Sequence, residues 1–403
     1  MASLSRGERD AFNRLRVSNP VHIGHIATQY NANRLRMEAI ASGTGVAPEF
    51  QPLTRFVKLA VGAGVGESVY QSYNYFPYQP GFSLLVRLTG LFGPPVAGAI
   101  VETGFFDQYN GYFLRQNSTN GLQVVHRTST SGAVVEDAVN QADWNVSNLD
   151  GSVPGEHKLD ITKVHLIIID MAYLGVGNVR IGFEIEGNIY YVHQFKAANE
   201  IDRPHVQSAA LPIQMIVRGT PVASKEAFFK CSEVISEGGE TLSDAQGELV
   251  SSPEGVVVAA DNVRTHLISI RPKTLYNNLP NHIMFILRSL NLAVTGLNPV
   301  FWELVMGQVI SGGTWVDVNT IHSGFEYNAG GTASGDPALV IYSGYVVASA
   351  TQKGALETEI SQYYPVTLNR AGQVRADGTL SIIVRGIGGP SATRGTLHWK
   401  EIR

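Results

Sequence analysis

The chain has 403 residues, enough for two domains with ordinary cores or one large one. Charged residues make up only 16% and hydrophobic ones 44%, against roughly 25% charged in a typical soluble protein. That composition excludes a disordered, highly charged chain and a coiled coil built from Ala, Glu, Lys and Leu, and a net charge of −4 argues against a dedicated nucleic-acid binder.

The predicted elements begin with a basic arm. Arg6, Arg9, Arg14, Arg16, Arg34 and Arg36 stand among residues 1–36 against Glu8 and Asp10 alone, so the rest of the chain is net acidic. Ser5 and Glu8 have capping-box spacing before a short helix over Arg9–Leu15, and Asn19-Pro20 ends it. Arg14 and Arg16 share one face of an extended segment and Leu15 and Val17 the other. With Phe12, these five residues are the expected assembly arm, laid on a neighbouring subunit with its arginines on carboxylates.

Strand signals dominate the chain beyond the arm. They fall at Ser83–Leu88, Gly121–Arg127, His165–Ile169, Met215–Arg218, Val256–Ala259, His266–Ile270, Ile283–Leu290, Ala338–Val347, Leu380–Arg385 and Leu397–Glu401. Val179–Ile185 alternates, turns at Glu186-Gly187-Asn188, and alternates again through Ile189, Tyr191, His193 and Phe195, which predicts a hairpin with Phe183 inward. A second hairpin is predicted over Phe301–Ile310 and Thr314–Val318, around Ser311-Gly312-Gly313. The polar, acidic, glycine-bearing stretch 236–254 reads as a linker or long loop. The predicted organisation is an all-β chain with an extended arm over 1–50, a jelly-roll-like β-sandwich over 51–235, and a second over 255–403.

Catalytic motifs are missing. Gly62-Ala63-Gly64-Val65-Gly66-Glu67-Ser68 lacks the lysine and spacing of a phosphate loop, and with Gly175-Val176-Gly177 it reads as a turn or strand interruption. No nucleophile elbow and no zinc-protease motif occurs, and Gly24 argues against a metal pair at His22 and His25. The carboxylates Glu102, Asp107, Asp143 and Asp170 are scattered. No enzyme, no cofactor and no metal are therefore expected. Cys231 stands alone, so no intrachain disulfide forms, and its apolar neighbours suggest a buried thiol. The start lacks the apolar core of a secretory signal, and Leu166–Ile169 is too short to cross a bilayer, which points to synthesis in a cytoplasm without a membrane anchor.

The aromatic residues carry more information. Tyr70, Tyr73, Tyr75, Phe76 and Tyr78 cluster before Pro80-Gly81, and Phe105, Phe106, Tyr109, Tyr112 and Phe113 form a second group around a polar turn. Packing between sheets accounts for most of these rings. Tyr75, Tyr78, Tyr109 and Tyr112 are the candidates for a surface that stacks on sugar rings or anchors a partner.

The run Ala11-Phe12-Asn13-Arg14-Leu15-Arg16-Val17-Ser18-Asn19-Pro20 resembles the opening of a group of virion structural proteins from tailed bacteriophages and large DNA viruses. Tyr75–Gly81, Gly104–Asp107 with Asn110-Gly111, Gln141–Asn145, Leu174–Gly177, Arg180–Phe183, Val192–Phe195, Ser232–Gly239 and Leu397–Ile402 fit the same group in order. Asn13 departs from it, standing where that group has glycine. The resemblance implies a structural component of a virus particle, in the capsid, tail or fibre, whose partners are other virion proteins and copies of itself. A carbohydrate- or receptor-binding fibre module, with a host glycan as partner, is the alternative. Neither reading calls for membrane or nucleic acid.

Overall fold

The computed structural model describes residues 20–238, 246–251, 257–348 and 354–403. The arm residues Phe12, Arg14, Leu15, Arg16 and Val17, and the expected helix, lie outside the described residues. The chain divides between Thr241 and Leu242 into two compact units.

The first unit holds β1 (Val21–Ala27), β2 (Met37–Phe50), β3 (Val57–Ser72), β4 (Leu84–Leu91), β5 (Ala99–Phe106), β6 (Gly111–Asn117) and β7 (Gly121–Thr128). It continues with β8 (Val135–Asn140), β9 (His165–Met171), β10 (Val179–Ile185), β11 (Asn188–Phe195), β12 (Ile213–Gly219) and β13 (Lys225–Ser236). Among the described residues these form one antiparallel sheet in the order β11-β10-β9-β4-β13-β3-β12-β5-β6-β7-β8, with β1 also beside β13 and β2 beside β3.

The sheet curls because β3 changes neighbours along its length. Val57–Val61 lie against β13, whereas Gly66–Gln71 lie against β12. Between the two stretches runs Gly62-Ala63-Gly64-Val65-Gly66, expected as a turn or interruption and found to be the corner inside a strand. Gly64 has φ +104°, and a Cβ on Gly66 would sit 2.6 Å from Thr44 Oγ1 and 2.7 Å from Gly45 N. Only glycine allows the strand to bend this sharply against its neighbour. The two layers then close on one core: Val86, Leu88, Ile167 and Ile169 from one side meet Val101, Phe105, Tyr112 and Val124 from the other.

Residues 21–50 were expected in the arm and instead belong to this sheet. Ile26 and Met37 are buried, and β2 runs alongside β3 from Met37 to Phe50. The small, glycine-bearing β2 sequence hides its alternation, and its partner supplies what the sequence pattern lacks. The expected linker 236–254 is likewise narrower, since Ser236 ends β13 and Gln246–Ser251 is a strand. The hairpin β10–β11 forms with a two-residue turn, Glu186 and Gly187 at φ +53° and +78°, the left-handed pair that matches strand twist.

The second unit is a sandwich of two antiparallel sheets. One runs Gln246–Ser251, Ser391–Ile402, Met284–Val294, Gly354–Tyr363, with Val257–Ala259 also beside Ser391–Ile402. The other runs Val316–Asp317, Phe325–Asn328, Thr265–Pro272, Leu380–Gly386, Val300–Met306, Leu339–Val346. Leu290, Leu292, Leu397 and Trp399 of the first pack on Ile268, Ile270, Leu304 and Ile382 of the second. The hairpin expected over 301–318 does not form. Val300–Met306 pairs with Leu339–Val346 and Leu380–Gly386, while Val316–Asp317 pairs with Phe325–Asn328.

Candidate binding site at the loop end of the first unit

Opposite the corner, the connections of both layers emerge at one end: residues 73–83, 107–110, 129–134, 172–178 and 196–212. They brace one another. The Tyr173 hydroxyl donates to Val206 O at 2.7 Å, His205 N to Gly175 O at 2.8 Å, and Phe76 N to Leu211 O at 2.9 Å. Loops so tied hold a surface in one shape without a ligand, which lowers the cost of binding.

The turn 107–110 is the best-defined part. Asp107 Oδ1 accepts the N–H groups of both Tyr109 and Asn110 at 2.7 Å, and Asp107 N donates to Asn110 O at 2.8 Å. Arg127 Nη1 donates to Asp107 O at 2.7 Å, and Gln207 N to Asn110 Oδ1 at 3.0 Å. On this frame the Tyr109 ring stands 50% exposed. Leu174 and Ile201, on neighbouring loops, are also exposed.

Of the four tyrosines expected at a surface, Tyr109 is exposed, and Tyr75 and Tyr78 are half-buried on the loop 73–83. Tyr78 packs edge-on against Tyr173 at 5.5 Å. Tyr112 is not at the surface: it is fully buried, stacked on His126 at 4.9 Å, with Phe195 and His205 around it. The sequence reading missed Tyr173, Ser129 and Gln207. Ser129 Oγ donates to Gln207 Oε1 at 2.7 Å, a pairing across 78 residues that no local pattern announces.

The histidines beneath the loops give this end a pH dependence. Burial pushes His205 down to about 4, with neighbouring His126 adding to the effect and its bond to Gly177 O opposing it. Burial also lowers His126 and His193. An unfolded histidine takes up a proton near its ordinary 6.5 that folded His205 refuses until about 4. Stability is therefore full above that range, falls as pH drops through it, and levels off below. Melting of the whole chain from pH 7 to pH 4 is expected to show this decline, and His205→Asn to make it shallower; an equal slope in both would exclude His205 as one of its sources.

Of the scattered carboxylates, Glu102 and Asp170 are held by arginines and Asp107 by its own turn. Glu102 lies on the sheet face away from the core, where Arg115 Nη2 approaches to 2.6 Å and Arg218 Nη2 to 3.1 Å. Glu136 receives Arg115 at 2.7 Å and Arg127 at 2.8 Å. Burial raises the Glu102 carboxyl, but Arg218, Arg115 and Arg127 outweigh it and hold it below its ordinary range. At Glu136 the bonds from Arg115 and Arg127 likewise overcome burial. Asp170 is buried against Arg180 at 2.6 Å, and Asp107 caps its own turn. Among the described residues no three His, Cys, Asp or Glu side chains gather as metal ligands, and Cys231 is half-buried rather than enclosed.

No family model matches the chain, and no curated protein sequence does. Among solved structures, 54% of the chain is similar to 98% of a glycosyl hydrolase family protein from Mycobacterium fortuitum, with TM-score 0.32 and 11% identity. A legume lectin-like domain from Entamoeba histolytica matches over 53% of this chain and 97% of its own, at TM-score 0.31 and 10% identity. The CBM2 module of the evolved Dit of Lactobacillus casei BL23 phage J-1 matches over 56% and 99%, at TM-score 0.34 and 7% identity. At these scores and identities none of them bears on what this chain binds.

Proposed function

We propose that the chain is a glycan-binding component of a virus particle, with the loop end of its first unit as the binding surface. The observation that carries this reading is the half-exposed Tyr109 ring on a turn fixed by Asp107, Arg127 and Gln207. An exposed ring on a fixed turn is what a sugar requires for stacking: the C–H face of the sugar lies on the ring, and the polar side chains of the surrounding loops are the candidates for its hydroxyls. The sequence resemblance to virion structural proteins supports the particle setting.

Binding without cleavage is part of the proposal. A glycosidase needs one carboxyl kept protonated to donate to the leaving oxygen, and the arginines around Glu102 and Glu136 favour the opposite state. A purely architectural role is favoured by a separate observation, the uncharged edge strand Leu339–Val346, and the two roles are compatible.

A glycan array followed by calorimetry tests the reading. Tyr109→Ala is expected to weaken the best ligand by about tenfold or more, equivalent to about 1.4 kcal/mol, with no change in melting temperature, while Tyr109→Trp retains binding. Absence of any bound glycan, or equal affinity in Tyr109→Ala, would reject it.

A further inference from the structure

The strand Leu339–Val346 closes one side of its sheet. Among the described residues it pairs with Val300–Met306 on one flank and with no strand on the other. Its sequence, Leu-Val-Ile-Tyr-Ser-Gly-Tyr-Val, contains no Lys, Arg, Asp, Glu or Pro. Val340 is 44% exposed and Tyr345 65%, and Val347, just beyond the strand, is 73% exposed.

Proteins ordinarily blunt such an edge with charge, proline or shortness, because its row of backbone groups is a template for another strand. The opposite edge of the same sheet is blunted. Val316–Asp317 is only two residues long and carries Asp317, paired with Lys273 at 3.3 Å. On Leu339–Val346 the one device is a register shift opposite Leu304 and Val305, which leaves Tyr342–Val346 regular. An edge left apolar and uncharged over that stretch is suited to a strand partner.

We propose that this edge pairs antiparallel with the same strand of a second copy of the chain, about a two-fold axis. A two-fold contact sets each patch against itself, so any formal charge near the axis would meet its own like charge. The absence of charge from this strand removes that penalty, which a partner of different sequence would not need removed. Pairing places the Tyr345 and Val347 side chains of both copies on one continuous face, where cross-strand aromatic and β-branched contacts add to the backbone bonds. The neighbouring Phe301 ring, 5.0 Å from Tyr345 and covered by Arg385 at 4.4 Å, extends that face. The proposal is independent of glycan binding at the other unit.

Sedimentation of the full chain tests it. The wild type is expected to be a dimer at micromolar concentration with a melting temperature that rises with concentration, and Ser343→Lys/Tyr345→Lys a folded monomer whose melting temperature does not depend on concentration. Hydrogen exchange of the 339–346 amides in the wild type is expected to slow as concentration rises, a readout that needs no variant. A wild-type monomer, a dimer that survives both lysines, or exchange over 339–346 that ignores concentration would each overturn the proposal.

Discussion

Phe183→Ala is expected to destabilise the first unit by about 3–5 kcal/mol, the cost of a large buried ring plus the cavity it leaves. Phe183 lies mid-strand in β10, opposite Ile167 on one side and Tyr190 on the other. It is fully buried in the main core, and the His165 ring meets its face edge-on at 5.5 Å. Because β10 is tied to a neighbour on both flanks, the sheet resists closing into the vacated space, which puts the effect toward the upper part of that range. Phe183→Leu keeps most of the volume and is expected to cost well under half as much. Urea unfolding followed by a probe in the first unit reads both values. An unchanged midpoint for the alanine variant would mean that the β9–β10–β11 face contributes little to the core.

That hairpin was legible because everything specifying it is local: two alternating runs joined by Glu186-Gly187. Tyr112 shows where the same logic stops. Tyr112 and Phe113 are adjacent and both fully buried, since the sheet is covered on both faces. Tyr112 joins the main core beside His126, while Phe113 faces the other way, stacked on Phe106 at 4.1 Å with the Arg127 guanidinium 4.8 Å from its ring. Alternation separates inside from outside only where one face meets water, and the arginines that close the second face, Arg115, Arg127 and Arg218, come from β6, β7 and β12. The misread hairpin at 301–318 fails for a related reason. Ser311-Gly312-Gly313 is a credible turn, but Val300–Met306 is claimed by strands that begin 39 and 80 residues further along the chain, at Leu339 and Leu380. The candidate site was half legible. The polar turn 107–111 could be read from its own residues, whereas the exposure of Tyr109 and the burial of Tyr112 depend on loops distant in sequence.

The second large effect is expected at Asp170. Its Oδ2 receives Arg180 Nη2 at 2.6 Å and the Tyr191 hydroxyl at 2.5 Å, and its Oδ1 receives Ser83 Oγ at 2.9 Å. All of these side chains are buried, on the sheet face away from the main core beside Leu85, Ile168 and Ile235. The Arg180 guanidinium lies 4.2 Å over the Tyr191 ring, so the carboxylate, the cation and the ring form one packed group. Removing one partner of a buried pair leaves the other charge desolvated without its counter-charge, which typically costs about 3–5 kcal/mol. Asp170→Ala is therefore expected to lower stability by that amount. Replacing both charges together with apolar residues avoids that penalty, so Asp170→Leu/Arg180→Met is expected to cost well under the sum of Asp170→Leu and Arg180→Met, the signature of a favourable pairwise coupling in the double-mutant cycle. Were the two losses simply to add, Arg180 would owe its place to the Tyr191 ring rather than to the carboxylate.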